Sequence, residues 1–96
     1  MSVADGIARE DGPTGGRYVF RRDGLEAELT YSRMGETRLI ADYTGVPDAF
    51  QGQGVGLALV ERLVADARAD NLRIVALCPF VKAQARRHPE WSDVIE

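Results

Sequence analysis

The chain has 96 residues, of which 45% are hydrophobic and 28% charged, and its formal net charge is −3. This length predicts one small domain with a modest core. The negative charge argues against a general nucleic-acid or anionic-membrane surface. No apolar run approaches the ~20 residues of a membrane-spanning helix, and the N-terminus lacks a signal-like apolar core. A single cysteine, Cys78, excludes an internal disulfide and favours a reducing compartment, so we expect a cytoplasmic protein.

The first half of the chain predicts an arm followed by an antiparallel meander. Residues 1–16 mix glycine, acidic residues and one proline without sustained periodicity, which is typical of a flexible arm. The predicted domain is 17–96. Its first strand is RYVFRR, the dipeptide Asp23-Gly24 is a hairpin signal, and the strand LEAELTYSR alternates between apolar and polar residues. A third strand, TRLIADYTGV, completes a meander over 17–46.

The second half predicts a β-α-β unit and a short C-terminal helix. Apolar residues recur at helical spacing between about 54 and 69, at Leu59, Val60, Leu63, Val64 and Ala67. The next stretch, LRIVALC, predicts a short strand covered on both faces. Pro79 suits the first turn of a helix over PFVKAQARR. The expected order is therefore β-β-β-α-β-α in a mixed α/β (α+β) fold, with parallel strands before and after the first helix.

Three glycines at alternate positions precede the first helix, in FQGQGVGLALVERL. A helix N-terminus presents unpaired N–H groups and a partial positive charge, and glycine lets a ligand approach the backbone closely. Such a loop is typical of an anion site, commonly for phosphate. The alternative is a tight loop that needs glycine for its dihedral angles. The Walker A pattern and the dinucleotide fingerprint are both absent.

Two motifs resemble one family. Residues 51–56 read Q-x-x-G-x-G after a predicted strand, and residues 76–95 read ALCPFVKAQARRHPEWSDVI. Together they resemble the small, single-domain members of the GNAT superfamily of N-acetyltransferases, which bind acetyl-CoA. The resemblance covers about 37–95.

This resemblance implies a GNAT-like domain with an antiparallel meander, a β-α-β crossover and a short C-terminal helix. The pantetheine arm would lie where segments 40–46 and 74–78 splay apart. The pyrophosphate would bind backbone N–H groups of the glycine loop. The cofactor-binding residues implied are Val46, Gln51, Gln53, Gly54, Val55, Gly56, Leu57, Phe80 and Lys82. A monomer or weak dimer is expected, and one histidine and one cysteine give little basis for a metal site.

Two residues are candidates for catalysis. Cys78 precedes Pro79 where the resemblance places the thioester, so it is a candidate nucleophile or proton donor; the alternative is a small buried hydrophobe. Tyr43 is a candidate proton donor, with a core aromatic as the alternative. Many relatives read H-T-E-V where this chain reads Tyr43-Thr44-Gly45-Val46. A histidine and a carboxylate are therefore absent here, and Asp42 or Asp48 could act as a base through water.

Other basic residues leave two interpretations open. His88 is either a proton carrier or a helix C-terminal cation. Lys82, Arg86 and Arg87 could reach a CoA phosphate or form a solvated face, and Arg73 is similarly ambiguous. The leading hypothesis is an N-acetyltransferase acting on an amine, including a protein or peptide amine. The alternatives are a non-catalytic acyl-CoA-binding or sensing module and a structural interaction domain.

Overall fold

The computed structural model describes residues 2–96. In chain order the regular elements are β1 Ile7–Asp11, β2 Gly15–Arg22, β3 Leu25–Met34, β4 Arg38–Gly45, α1 Val55–Ala69, β5 Arg73–Ala76 and α2 Pro79–Arg87. Short 3-10 turns lie at Val3–Gly6, Asp48–Phe50 and Pro89–Asp93. Neither helix of this part of the chain is long and apolar enough to cross a membrane.

The five strands form one sheet in the order β1-β2-β3-β4-β5. The pairs from β1 to β4 are antiparallel, and β4 pairs with β5 in parallel. The predicted meander and the predicted parallel pair are therefore confirmed, and the fold is mixed α+β.

Both helices pack on one face of the sheet. The apolar stripe of α1 is buried against side chains of β2 and β3, including Tyr18, Phe20 and Leu29. On the opposite face Arg17 binds the carboxylates of Glu10, Glu26 and Glu28. The sheet therefore has one core face and one open, charged face.

The prediction that residues 1–16 lack regular structure is wrong. Ile7 pairs with Phe20 across β1 and β2, and it is buried in the core. The next core-facing residue, Arg9, places its guanidinium over the rings of Tyr18 and Tyr31. Because Ile7 is the only large apolar residue that β1 contributes, hydrophobic periodicity gives no strand signal. The turn residues Gly-Pro-Thr at 12–14, just before β2, were the available clue.

A hydrogen-bonded cluster joins this edge strand to α1. Asp66 accepts hydrogen bonds from the Tyr18 hydroxyl, at 2.8 Å, and from Arg9 Nη1, at 3.2 Å. Arg62, one turn earlier on α1, donates to the same carboxylate. Burial, and then the bond to Asp66, raise the pKa of Tyr18 well above its usual value. The cluster therefore satisfies buried polar groups on three elements at once.

The strand LRIVALC is shorter than predicted and is buried on only one face. β5 ends at Ala76, and its buried residues Ile74 and Ala76 alternate with exposed Arg73 and half-buried Val75. Leu77, directly after the strand, is 57% exposed. The expectation of burial on both faces is wrong because both helices cover the same side of the sheet.

Candidate functional site

A cleft of about 390 Å³ lies between the loop after β4, the start of α1 and one face of α2. Of the nine predicted cofactor-binding residues, seven line it: Val46, Gln51, Gly54, Val55, Gly56, Leu57 and Phe80. The other lining residues are Phe50, Gly52, Gln84 and Arg87. Segments predicted from two separate motifs therefore meet in one cavity.

The three loop glycines have different reasons to be glycine. Gly52 and Gly54 have φ values of +78° and +73°, in the left-handed region that favours glycine, and nothing lies within 4 Å of where a Cβ would stand. Gly56 is buried, and a Cβ there would come within 2.7 Å of Cζ of Phe80. The loop dihedral angles explain the first two glycines, and packing of α1 against α2 explains the third.

The first turn of α1 directs free backbone donors to the cleft. Ala58 N–H donates to the carbonyl of Gly54 and is the first amide of the helix to find a backbone acceptor within residues 2–96. The preceding amides of Val55, Gly56 and Leu57 are the unpaired donors of a helix N-terminus. The N–H of Gln53 donates to the carbonyl of Phe50 instead, so the amide row is shorter than the resemblance implied.

Gln53 acts through its side chain within the loop. Its amide nitrogen donates to the carbonyl of Ala49, and its amide oxygen accepts a hydrogen bond of 2.7 Å from Arg22. Arg22 ends β2, at the hairpin, and lies far from the loop in sequence. The sequence carried no signal that this arginine stands beside the glycine loop.

Most basic side chains of the protein are paired with carboxylates. Eight of the twelve basic side chains form ion pairs, namely Arg9, Arg17, Arg21, Arg33, Arg38, Arg62, Arg68 and Arg73. Across residues 2–96 the four without an ion pair are Arg22 at the loop and Lys82, Arg86 and Arg87 on α2. Of these four, Arg22 contacts the glycine loop and Arg87 lines the cleft.

Only one of the three unpaired α2 cations lines the cleft. Arg87 shares a helix face with Phe80 and Gln84. The predicted residue Lys82 is exposed elsewhere on the helix, and Arg86 lines a separate depression beside Trp91.

β4 continues beyond the end of its pairing with β5. The last paired residues are Ala41 and Ala76, after which the N–H groups of Leu77 and Cys78 both donate to the carbonyl of Ala41. β4 then runs on to Gly45 while the neighbouring chain turns into α2. The strands therefore part beyond Ala41, within the predicted segments 40–46 and 74–78.

The two predicted catalytic residues lie on opposite faces of the sheet. Cys78 is buried on the core side, and its thiol is 3.4 Å from the hydroxyl of Thr44. Tyr43 pairs with Thr30 and is 56% exposed on the open face. A Cβ on Gly45 would come within 2.6 Å of the Tyr43 hydroxyl. Cys78 is thus at the parting of the strands beside the cleft elements, whereas Tyr43 lies across the sheet.

His88 and Arg73 have structural partners. His88 Nδ1 lies 2.8 Å from the carbonyl of Gln84, and its ring stacks on Trp91 with centroids 4.2 Å apart. Arg73 donates to the carbonyl of Asp93 and lies 3.7 Å from the Glu96 carboxylate. No group of three potential metal ligands comes together in the part of the chain that the structure describes.

A mixed sheet, a parallel pair that parts at one end and a cleft at the N-terminus of the helix after β4 define a small α+β protein with one candidate site between them. The family model of the GCN5-related N-acetyltransferases matches residues 17–94, and the chain belongs to this family. Its structure is similar to the solution NMR structure of a GCN5-like protein from Staphylococcus aureus, with a TM-score of 0.71 and 31% identity. That match covers 95% of this chain and 89% of the other. Comparison with curated protein sequences gives no significant match.

Proposed function

We propose that the protein binds acetyl-CoA in the cleft and transfers the acetyl group to a primary amine. The observation that carries this proposal is the coincidence, in one cavity, of the free amides of the α1 first turn and the unpaired Arg87, in a chain of the GCN5-related family. Backbone N–H groups and an arginine are the donors that phosphate oxygens require.

The shape of the cleft suits an extended cofactor. The polar end of the cleft, at Gly54 and Arg87, would hold the phosphates, with Arg22 beside the loop as a second cation. Its apolar wall, formed by Val46, Phe50 and Phe80, would contact the methylenes of the pantetheine arm. From there β4 leads to the parting of the strands, where its backbone is no longer paired with β5.

Acetyl-CoA supplies an activated acyl group: the amine nitrogen forms a bond to the carbonyl carbon, the C–S bond breaks, and the proton lost by the amine balances the proton gained by the CoA thiolate. We propose that Cys78 serves the leaving sulfur. Its thiol stands at the N-terminus of α2, where negative charge is stabilised, and it bonds to Thr44. We propose that this pair returns a proton to the departing thiolate. A reduced thiol in the site also suits the cytoplasm.

Calorimetric titration with acetyl-CoA, CoA and dephospho-CoA tests cofactor binding. We expect Arg87→Gln to weaken acetyl-CoA binding by about 10- to 100-fold, because a charge-assisted hydrogen bond contributes roughly 1.5–3 kcal/mol. Arg86→Gln is the matched control, since it removes the same charge from the adjacent position outside the cleft. We expect it to change the affinity by less than about threefold.

Two results would count against the proposal. Absence of heat with all three ligands would mean that the glycines serve only the loop dihedral angles. Equal losses for the two arginine variants would mean that general charge attraction, and not the cleft, holds the ligand.

A larger effect of Arg22→Gln on CoA than on dephospho-CoA would place that arginine at the 3′-phosphate.

A further inference from the structure

Exposed apolar surface is concentrated where β4 and β5 part. Tyr43 and Leu77 are 56% and 57% exposed, whereas the other exposed large apolar side chains, Leu25 and Met34, are 39% and 37% exposed. The N–H of Leu77 binds the carbonyl of Ala41, and Tyr43 is the second residue after Ala41 on the neighbouring strand. The two side chains therefore flank the point where the strands part, to which the pantetheine arm leads under the proposed function.

The backbone at this point presents Tyr43 to the open face. Ala41 pairs with Tyr31 and Tyr43 pairs with Thr30, so Asp42 has no partner in the register. This bulge places Tyr43 away from the helices, and its ring lies over Gly45. A side chain at position 45 would collide with the phenol. The Tyr43 ring therefore occupies the space that the glycine leaves open at position 45.

Asp42, the residue before Tyr43, adds a carboxylate to the same open face. The carboxylate of Asp42 accepts a hydrogen bond of 2.6 Å from the Ser32 hydroxyl and forms no ion pair among residues 2–96. Glu28 pairs with Gly45 across the sheet, and its carboxylate is shared with Arg17 at 3.1 Å. An exposed aromatic ring and a carboxylate without an ion pair, contributed to one face of the sheet by consecutive residues, are complementary to an alkylammonium group.

We propose that Asp42, Tyr43 and Leu77, here called the acceptor face, bind the lysine side chain of an extended peptide. The methylenes of the lysine lie against Tyr43 and Leu77, and its ammonium group lies between the phenol ring and Asp42. This assignment rests on the proposed function and names its acceptor. A peptide fits better than a small amine, because a surface more than half exposed cannot enclose a small molecule, whereas a peptide can spread over an open sheet.

The first experiment needs no cofactor. A blocked pentapeptide with one central lysine is titrated into the ¹⁵N-labelled protein, alongside the same peptide with norleucine, which keeps the methylenes and lacks the charge. We expect the lysine peptide to shift amide signals of residues 40–46 and 75–78 and the norleucine peptide to have at least about threefold lower affinity. Equal binding of the two peptides, or shifts confined to other regions, would overturn the assignment.

The second experiment measures acetyl transfer to the lysine peptide. Tyr43→Ala and Asp42→Asn should each raise KM for the peptide by about three- to tenfold and leave the Kd for acetyl-CoA unchanged. The controls are Met34→Ala and Glu36→Gln, which remove an exposed apolar side chain and a carboxylate at the far end of β3 and β4. Unchanged KM in Tyr43→Ala would overturn the assignment.

Three further outcomes separate the alternatives. If the protein does not bind acetyl-CoA, the proposed function fails, and the peptide titration alone decides whether the acceptor face binds lysine. If n-butylamine is acetylated as well as the peptide, the acceptor is a small amine and the peptide assignment is wrong. If Tyr43→Ala abolishes a concentration-dependent dimer seen by analytical ultracentrifugation, the face joins two copies of the chain and the assignment is wrong.

Discussion

Phe80 lies so close to the backbone of Gly56 that a Cβ at position 56 would come within 2.7 Å of Cζ of the ring. Because the ring is only partly buried, it can give way by turning into the cleft. We expect Gly56→Ala to weaken acetyl-CoA binding by tenfold or more while changing the free energy of unfolding by less than about 1 kcal/mol, since helix propensity offsets part of the overpacking. Calorimetry and urea unfolding measure the two effects.

The partner substitution distinguishes this contact from a general disturbance of the loop. In Gly56→Ala combined with Phe80→Leu, the smaller side chain leaves room for the new methyl group. The double variant should therefore bind acetyl-CoA better than the two single losses predict together. Strict additivity would show that Gly56 acts independently of Phe80.

The edge strand β1 should contribute measurably to stability. Ile7 is 8% exposed and belongs to the core cluster, so Ile7→Ala should lower the free energy of unfolding by about 2–3 kcal/mol. Glu36→Ala, in the exposed turn between β3 and β4, is the control and should change it by less than about 0.5 kcal/mol. Denaturant titration provides both numbers. A loss at Ile7 no larger than that of the control would mean that β1 is detached in solution.

The bond between Tyr18 and Asp66 should stabilise the attachment of α1 to the sheet. Tyr18→Phe removes the hydroxyl donor and leaves Asp66 with its two arginine partners, so we expect a loss of about 1 kcal/mol. For a domain of this size the melting temperature falls by about 4–8 °C. Tyr43→Phe removes an exposed hydroxyl and should leave the melting temperature within about 2 °C. Equal shifts of the melting temperature in the two variants would show that the hydrogen bond from Tyr18 to Asp66 does not stabilise the protein more than an exposed hydroxyl does.

The buried tyrosines predict a loss of stability in alkali. Burial, then the bond to Asp66, raise the pKa of Tyr18; burial, then the bond to Asp11, raise the pKa of Tyr31. In the unfolded chain both phenols ionise near pH 10, so the unfolded state loses its protons first. The stabilisation is complete below about pH 10 and is lost as the pH rises towards the folded pKa values.

We therefore expect the free energy of unfolding to fall between pH 10 and 11.5, by up to about 1.4 kcal/mol per pH unit for each phenol. In Tyr18→Phe the fall should be shallower, because one of the two shifted groups is absent. Urea unfolding at several pH values measures the slopes. Identical slopes in the parent and variant would show that Tyr18 does not control alkaline stability.

Cys78 should affect transfer more than cofactor binding. We expect Cys78→Ala to reduce kcat for acetyl transfer by 10²-fold or more, the range of general acid catalysis, with acetyl-CoA affinity within about threefold of the parent. Thr44→Val removes the hydroxyl that accepts a hydrogen bond from the thiol. Because Thr44 is a positioning residue, this variant should reduce kcat less, by about 10-fold. Stopped assays of CoA release provide the rates. Full transfer activity in Cys78→Ala would show that Cys78 has only a packing role and takes no part in catalysis.

The sequence alone determined the elements whose signals are local. The alternation in β3, the helical spacing in α1 and the glycine loop each depend on neighbours within a few residues, and each lies where it was predicted. The two motifs also contain most of the residues that line the cleft. The strand β1 has no such local pattern. It contributes Ile7 and Arg9, and the partners of Arg9, which are Tyr18, Tyr31 and Asp66, lie on other elements.

The tertiary structure alone decided what faces the site. Strict alternation from Ala41 would place Tyr43 in the core and Thr44 on the open face. The bulge at Asp42 inserts one unpaired residue and exchanges the two sides, so that Thr44 meets Cys78 and Tyr43 is exposed. The bulge exists only in the pairing of β4 with β3. For this reason the chain's residues could suggest the chemistry, but only the register of the sheet could assign each residue its side.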